Sequence, residues 1–237
     1  HNSQLNTKEY SETKAFAEIR RIFECLSLSE SYREVVMKKF KEIHPKLLAG
    51  SRFKNPEKLS AILIYMVLKL QNIAVKPVDI INSSTLSKGE FNNFIFQVKQ
   101  YLPEYTKRNR EDYVALKLME ITEHFGLDMS FYFMSRKILS KLWESIKNTT
   151  DDVIAGLCTS ITALCCYKGV INVSSICSLM NIKMSTVQFQ VRKRIFERFR
   201  LPGFVSLVKS SGLLKEFMEK VGLLGGERLE VEVVQED

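Results

Sequence analysis

Two long apolar segments, 96 residues apart, constrain the fold of this chain more than any other feature. They are Glu57–Leu70 and Val153–Cys166, and each is apolar around nearly its whole circumference when drawn as a helix. A helix without a polar face is one that is buried on all sides. Each segment therefore predicts the central helix of its own helical unit, so the chain contains two such units in tandem.

The residues around the two segments repeat as well. Apolar residues at helical spacing precede each segment, and matching positions lie 99 residues apart, as in Ala15 and Val114, Ile19 and Leu118, and Ile22 and Ile121. The predicted starts of the central helices are Asn55 with Pro56 and Asp151 with Asp152. Two shorter helices are predicted to follow each central helix: Pro77–Asn82 and Lys88–Tyr101 in the first copy, Val173–Met180 and Ser185–Phe199 in the second.

The predicted fold class is all-α, with about five helices in each copy. We expect a first repeat at 10–103, a basic linker at 104–111, a second repeat at 112–224 and an acidic C-terminal tail at 225–237. Within the tail only Arg228–Val234 alternates like a strand. Two five-helix units joined head to tail, each around a buried helix, resemble tandem cyclin-like repeats.

The charge of the chain is unevenly distributed. The formal net charge is +8, and residues 227–237 carry −4 of their own, so the rest of the chain carries +12. A body this basic favours an acidic partner, most simply nucleic acid, although scattered surface lysines would give the same total. In the linker, Lys107, Arg108 and Arg110 are the residues expected to contact a DNA backbone.

The last two helices of the second copy have the outline of a helix-turn-helix. A short apolar helix ends at a break formed by Asn181, Ile182 and Lys183, and Ser185 is the expected N-cap of the next helix. The apolar positions of that second helix recur every four residues and predict a buried stripe, which consists of Val187, Val191, Ile195 and Phe199.

The opposite face of this helix has the chemistry that a DNA-reading helix needs. Ser185, Thr186 and Gln188 could reach base edges, and a glutamine can bind adenine through two hydrogen bonds. Lys183, Arg192 and Lys193 are the cations expected near phosphates. The equivalent helix of the first copy is less basic, so its contact should be weaker. An ordinary solvated outer face is the alternative for either helix.

Two such repeats, the second ending in a basic helix-turn-helix, resemble the C-terminal core of the transcription factor IIB family. The likeness extends over about residues 15–224. It rests on the segments "KLSAILIYMVLKLQNIAVKPVDI", "STLSKGEFNNFIFQVKQYL" and "AGLCTSITALCCYKGVINVSSICSLMNIKMSTVQFQVRKRI". The family usually has Val-Thr-Ile-Arg where this chain has Ser185–Gln188, so the family's arginine is replaced by Gln188 and contact with the DNA backbone is the expectation.

The resemblance implies an adaptor without catalytic activity and without a cofactor. It implies binding to TATA-binding protein on promoter DNA and recruitment of RNA polymerase, by a monomer, in the nucleus or, in an archaeon, the nucleoid. The family's N-terminal zinc ribbon is not among these 237 residues. The opening His1-Asn2 leads us to expect that the chain was shortened at its start, with a divergent paralogue as the alternative.

Other classes of function have less support in the sequence. A cyclin that regulates a protein kinase, or a protein-only scaffold of the same fold, would leave the basic second repeat unexplained. An enzyme is disfavoured because the sequence lacks a nucleophile–histidine arrangement, a glycine-rich phosphate loop and an acidic metal cluster. The five cysteines form no CxxC pair, and the longest apolar run, Ala61–Leu70, is too short to span a bilayer.

Overall fold

Residues 2–224 are described by a computed structural model, with side chains described from residue 7 onward. Within these residues all regular secondary structure is helical and there is no β-strand, which confirms the all-α prediction. The chain divides into two units, residues 1–113 and residues 114–237. The alternating segment Arg228–Val234 lies outside the described residues, so its prediction stays open.

The first unit contains a central helix that is buried along most of its length. Its helices are α1 (Asn2–Cys25), α2 (Arg33–Ile43), α3 (Pro56–Leu70), α4 (Pro77–Asn82), α5 (Lys88–Val98) and α6 (Pro103–Lys107). Every residue of α3 from Leu59 to Lys69 is buried, because the other five helices of the unit pack around it. The apolar segment predicted as a central helix therefore occupies that position.

Two helix starts of the first unit are fixed by side-chain caps. The Asn55 side chain accepts a hydrogen bond from the Lys58 backbone N–H, and Pro56 is the first residue of α3. At the start of α5, Ser87 and Glu90 form a reciprocal capping box. A hydrogen bond from Lys58, together with the backbone N–H of Ser87, lowers the pKa of Glu90 to about 2. These contacts connect the first turns of α3 and α5.

The second unit is also arranged around one buried helix. Its helices are α7 (Arg110–His124, which begins just before the unit boundary), α8 (Met129–Ile146), α9 (Asp151–Cys166), α10 (Val173–Met180), α11 (Met184–Val191) and α12 (Ser211–Lys220). Helix α9 packs against α8, α10, α11 and α12. Trp143, the single tryptophan of the chain, lies in α8 and packs against this core. Its fluorescence can therefore report on the folding of the second unit.

Described separately, the two units follow a similar helix order. In each unit two helices precede the buried helix and three follow it. The matching apolar residues of the opening helices are all fully buried, namely Ala15, Ile19 and Ile22 in α1 and Val114, Leu118 and Ile121 in α7. The spacing in the sequence thus marks the core-facing side of both opening helices.

Helix α9 begins at the predicted aspartate pair, but neither aspartate is its N-cap residue. Thr150 is the N-cap residue and makes no side-chain capping bond, while Asp151 and Asp152 lie inside the first turn. The Asp152 carboxylate lies 3.4 Å from the ammonium group of Lys117 on α7, and the Lys117 side chain is only 1% exposed. Glu120 lies 3.8 Å from the same ammonium group. An acidic residue that could have capped α9 instead belongs to a buried ion pair between α7 and α9.

Candidate nucleic-acid interface

Helix α10 and the turn after it have well-defined ends. The Asn172 side chain caps the helix by accepting a hydrogen bond from the Ser175 N–H, at 2.8 Å. At the other end Asn181 adopts a left-handed conformation with φ 52°, which asparagine tolerates better than most residues. The Ile182 N–H donates to the Cys177 carbonyl oxygen at 3.0 Å and closes the turn. The predicted break at Asn181–Lys183 is confirmed.

The turn between α10 and α11 rests directly on the central helix α9. The Ile182 side chain packs over Gly156, at a position where a Cβ atom would overlap the Ile182 Cδ1 atom. A methyl group at residue 156 would therefore require the end of the Ile182 side chain to shift. This contact fixes the position of α11 relative to the core of the second unit.

We expect Gly156→Ala to be stabilising only when the Ile182 Cδ1 atom is removed. Alanine favours a helix over glycine by about 1 kcal/mol, but here the new methyl group displaces Ile182. In Ile182→Val the overlapping atom is absent, so Gly156→Ala should then stabilise the second unit by about that amount. A double-mutant cycle, measured by denaturant unfolding followed through Trp143 fluorescence, should give a coupling energy of about 1 kcal/mol. Additive effects would show that the turn does not rest on Gly156.

Helix α11 begins directly after the break, at Met184. Lys183 occupies the N-cap position without a side-chain capping bond, and Met184 is the first helical residue. The prediction that Ser185 caps this helix is wrong, because Ser185 already lies within the first turn. Its side chain is exposed and Thr186 beside it is half-buried. Ser185 therefore points to solvent from the outer face of α11.

The inner face of α11 continues into a π-helical segment, Arg192–Glu197. Val187, Val191 and Ile195 are buried as predicted, but Phe199 is 43% exposed, so the fourth position of the predicted stripe is wrong. The wider π turn shifts the register, and Phe196 takes the buried position instead. Short π-helical segments occur frequently at functional sites.

Gln188, a predicted base reader, contacts its own chain. It is half-buried, and its Oε1 atom accepts a hydrogen bond from the Leu207 N–H at 3.2 Å. The same oxygen would be required for a two-bond contact with adenine. Gln188 therefore anchors the segment that follows the π-helical turn to α11.

The cations predicted along this helix fall into two groups. The Arg192 Nε atom donates to the Glu197 Oε1 atom at 3.0 Å, and the Arg194 Nε atom donates to the Gln190 Oε1 atom at 3.3 Å. The five-residue separation of Arg192 and Glu197 matches the i→i+5 geometry of the π-helical segment. Arg192 remains exposed, but its charge is balanced by the Glu197 carboxylate.

Four other cations form no ion pair within the described part of the chain. They are Lys183, Lys193, Arg198 and Arg200, and all four side chains are exposed. Phe189, which the sequence did not single out, lies among them on the outer face of α11 and is 54% exposed. The Lys193 ammonium group lies 5.4 Å from the centre of its ring. We call Lys183, Ser185, Phe189, Lys193, Arg198 and Arg200 the cationic face.

The three linker cations have different environments within the first unit. Lys107 is exposed at the end of α6, whereas Arg108 and Arg110 are half-buried. The Arg108 Nη1 atom donates to the Tyr105 carbonyl oxygen at 2.7 Å, and the guanidinium group lies 4.1 Å from the centre of the Tyr105 ring. Arg108 is thus held against the fold, and Lys107 is the most accessible of the three to a phosphate.

The corresponding helix of the first unit is less strongly charged. On α5, Lys88, Asn92 and Asn93 are exposed, and Phe96 is 64% exposed with the Lys99 ammonium group 4.4 Å from the centre of its ring. Glu90 and Lys58 neutralise each other nearby. This surface has an aromatic–lysine contact but lacks the cluster of arginines that follows α11.

Other kinds of chemistry have little basis in the described residues. Within them no three His, Cys, Asp or Glu side chains are grouped as a metal site would require, and no helix is long and apolar enough to cross a membrane. Burial raises the pKa of the Cys165 thiol to about 12, and it raises the pKa of Cys158 as well. Such thiols are poor nucleophiles because the thiolate is disfavoured. The cationic face is the candidate site because its four cations are exposed and form no ion pair within the described residues.

Comparison with known proteins adds no family to this description. No protein-family model matches the chain, and no curated protein matches it.

Proposed function

We propose that this chain is the DNA-binding core of a transcription initiation factor similar to transcription factor IIB. In this proposal two tandem cyclin-like repeats bind TATA-binding protein on promoter DNA and help to recruit RNA polymerase. The observation that carries the proposal is the cationic face of α11 and the residues after it, where four exposed cations have no carboxylate partner in the described part of the chain. A double-stranded polyanion is the simplest partner for such a surface.

The helix order supports the cyclin-like interpretation. Each unit, described by itself, has a helix buried by its neighbours, with two helices before it and three after it. The matching buried positions in α1 and α7 agree with a duplicated unit. The proposed partners and the proposed location in a nucleus or nucleoid come from the sequence resemblance to the transcription factor IIB family.

The arrangement of α10 and α11 suggests how DNA would be bound. Helices α10 and α11 carry no charged residue, so the positive charge lies at Lys183, the N-cap of α11, and in the π-helical segment and the residues that follow it. In a helix-turn-helix the second helix enters the major groove and its early residues approach base edges. Lys183 and Lys193 would then contact phosphates near α11, with Arg198 and Arg200 further along the backbone.

A gel-shift experiment with purified TATA-binding protein on a TATA-containing duplex tests the proposed function. We expect the chain to produce a slower ternary complex, and to produce none on a duplex in which the TATA box is scrambled. A chain that leaves the binary complex unshifted, but is captured by a cyclin-dependent kinase, would contradict the proposal and favour the kinase-regulator alternative.

A further inference from the structure

The exposed aromatic ring of Phe189 is an unusual component of a strongly cationic surface. It lies near the middle of α11, one helical turn from Ser185 on one side and from Lys193 on the other. The ring is 54% exposed, while the buried side of α11 is completed by Val187 and Val191 without it. Phe189 therefore contributes little to the core and presents an apolar surface beside Lys193 of the cationic face.

The contacts of the neighbouring residues leave Phe189 as the large side chain best placed to reach a base. Gln188 accepts a hydrogen bond from the Leu207 N–H, and Arg192 is paired with Glu197. The exposed residues on the outer side of the first two turns include Ser185, whose side chain is short, and Phe189. A helix that lies in the major groove along this side would bring the phenyl ring to the base edges.

The chemistry of the major groove then selects one base. Each of the four bases presents at least one hydrogen-bonding group there, and thymine alone adds a methyl group, at C5. A phenyl ring cannot form the polar contacts, but it can bury that methyl group. The cations around Phe189 favour DNA over an apolar protein surface as its partner, because Lys183 and Lys193 would be left unpaired in an apolar contact.

We propose that Phe189 contacts the C5-methyl group of a thymine in the major groove and gives this interface a preference for thymine at one position. The inference rests on the proposed DNA-binding function and adds a base preference to it. It assigns sequence discrimination to Phe189 and not to Gln188. The surrounding lysines supply affinity that does not depend on sequence.

The test begins with selection of bound duplexes from a randomised DNA library by the full chain. We expect one enriched position to contain thymine, and replacement of that thymine by deoxyuridine, which lacks only the methyl group, to weaken binding about fourfold. Phe189→Ala should lose the distinction between thymine and deoxyuridine. The matched control is Phe96→Ala, which removes another exposed ring beside a lysine, in the first unit, and should keep the distinction.

The possible failures can be told apart. Two results with a chain that binds duplex DNA would show that the inference about Phe189 is wrong. In one, Phe189→Ala keeps the same thymine preference, and in the other, the unaltered chain binds the thymine and deoxyuridine duplexes equally. The proposed function stands in both cases. If no duplex is bound by the chain alone or together with TATA-binding protein, the proposed function fails and the inference with it. Thermal unfolding of Phe189→Ala should match the unaltered chain, since the ring is exposed.

Discussion

Reversing the charge of Lys183 and Lys193 together is expected to weaken binding to duplex DNA by roughly 100-fold at moderate salt. Both side chains are exposed on the cationic face and neither has a carboxylate partner in the described residues. Replacement by glutamate removes two phosphate contacts and adds repulsion from the same phosphates. The measurement is the anisotropy of a fluorescently labelled duplex titrated with each variant of the full chain.

The matched control makes the same change of charge in the first unit. Lys88→Glu with Lys99→Glu alters the net charge equally, on the less basic surface of α5. We expect the affinity of this control for duplex DNA to fall less than about tenfold, because only long-range attraction is reduced. Equal losses in the two double variants would show that total charge, and not the cationic face, determines binding.

Breaking the buried ion pair of the second unit is expected to have the largest effect on stability. Asp152→Asn removes the carboxylate 3.4 Å from the Lys117 ammonium group, which is 1% exposed, while Glu120 stays at 3.8 Å. Removing one partner of a buried pair typically costs about 3 kcal/mol of unfolding free energy. Urea unfolding followed by Trp143 fluorescence measures the change in this unit.

Two further variants separate burial from pairing. In the double variant Lys117→Met with Asp152→Asn the buried ammonium group is removed together with its partner, so most of the lost stability should return. Glu144→Gln breaks an exposed ion pair with Lys147 on α8 and should cost less than about 1 kcal/mol. If Asp152→Asn costs no more than Glu144→Gln, then the pair between α7 and α9 does not contribute to stability as we infer.

The sequence predicted the helices of both units well where local signals are strong. Proline at the start of α4 and apolar spacing in α10 placed Pro77–Asn82 and Val173–Met180 at their observed bounds. Asn55 and Pro56 placed the start of α3, since a cap and a first-turn proline act within a few residues. Apolar periodicity also identified the buried sides of α1 and α7.

The candidate site was predicted less completely, because its details depend on contacts between distant residues. The hydrogen bond between Gln188 and Leu207 joins residues that are far apart in the chain, and no pattern near Gln188 indicates it. The π-helical segment shifts Phe199 to the surface, although its i+12 spacing from Val187 predicted burial. Phe189 could have been noticed, since it lies opposite the apolar stripe, but an exposed phenylalanine is not a specific signal by itself.

The salt dependence of DNA binding tests the central claim most directly. If Lys183, Lys193, Arg198 and Arg200 each contact a phosphate, the logarithm of the association constant should fall with the logarithm of the salt concentration with a slope of about −4. The Lys183→Glu/Lys193→Glu variant should show a slope of about −2 under the same conditions. A flat salt dependence of the unaltered chain, or the same slope in both proteins, would contradict a nucleic-acid interface on α11.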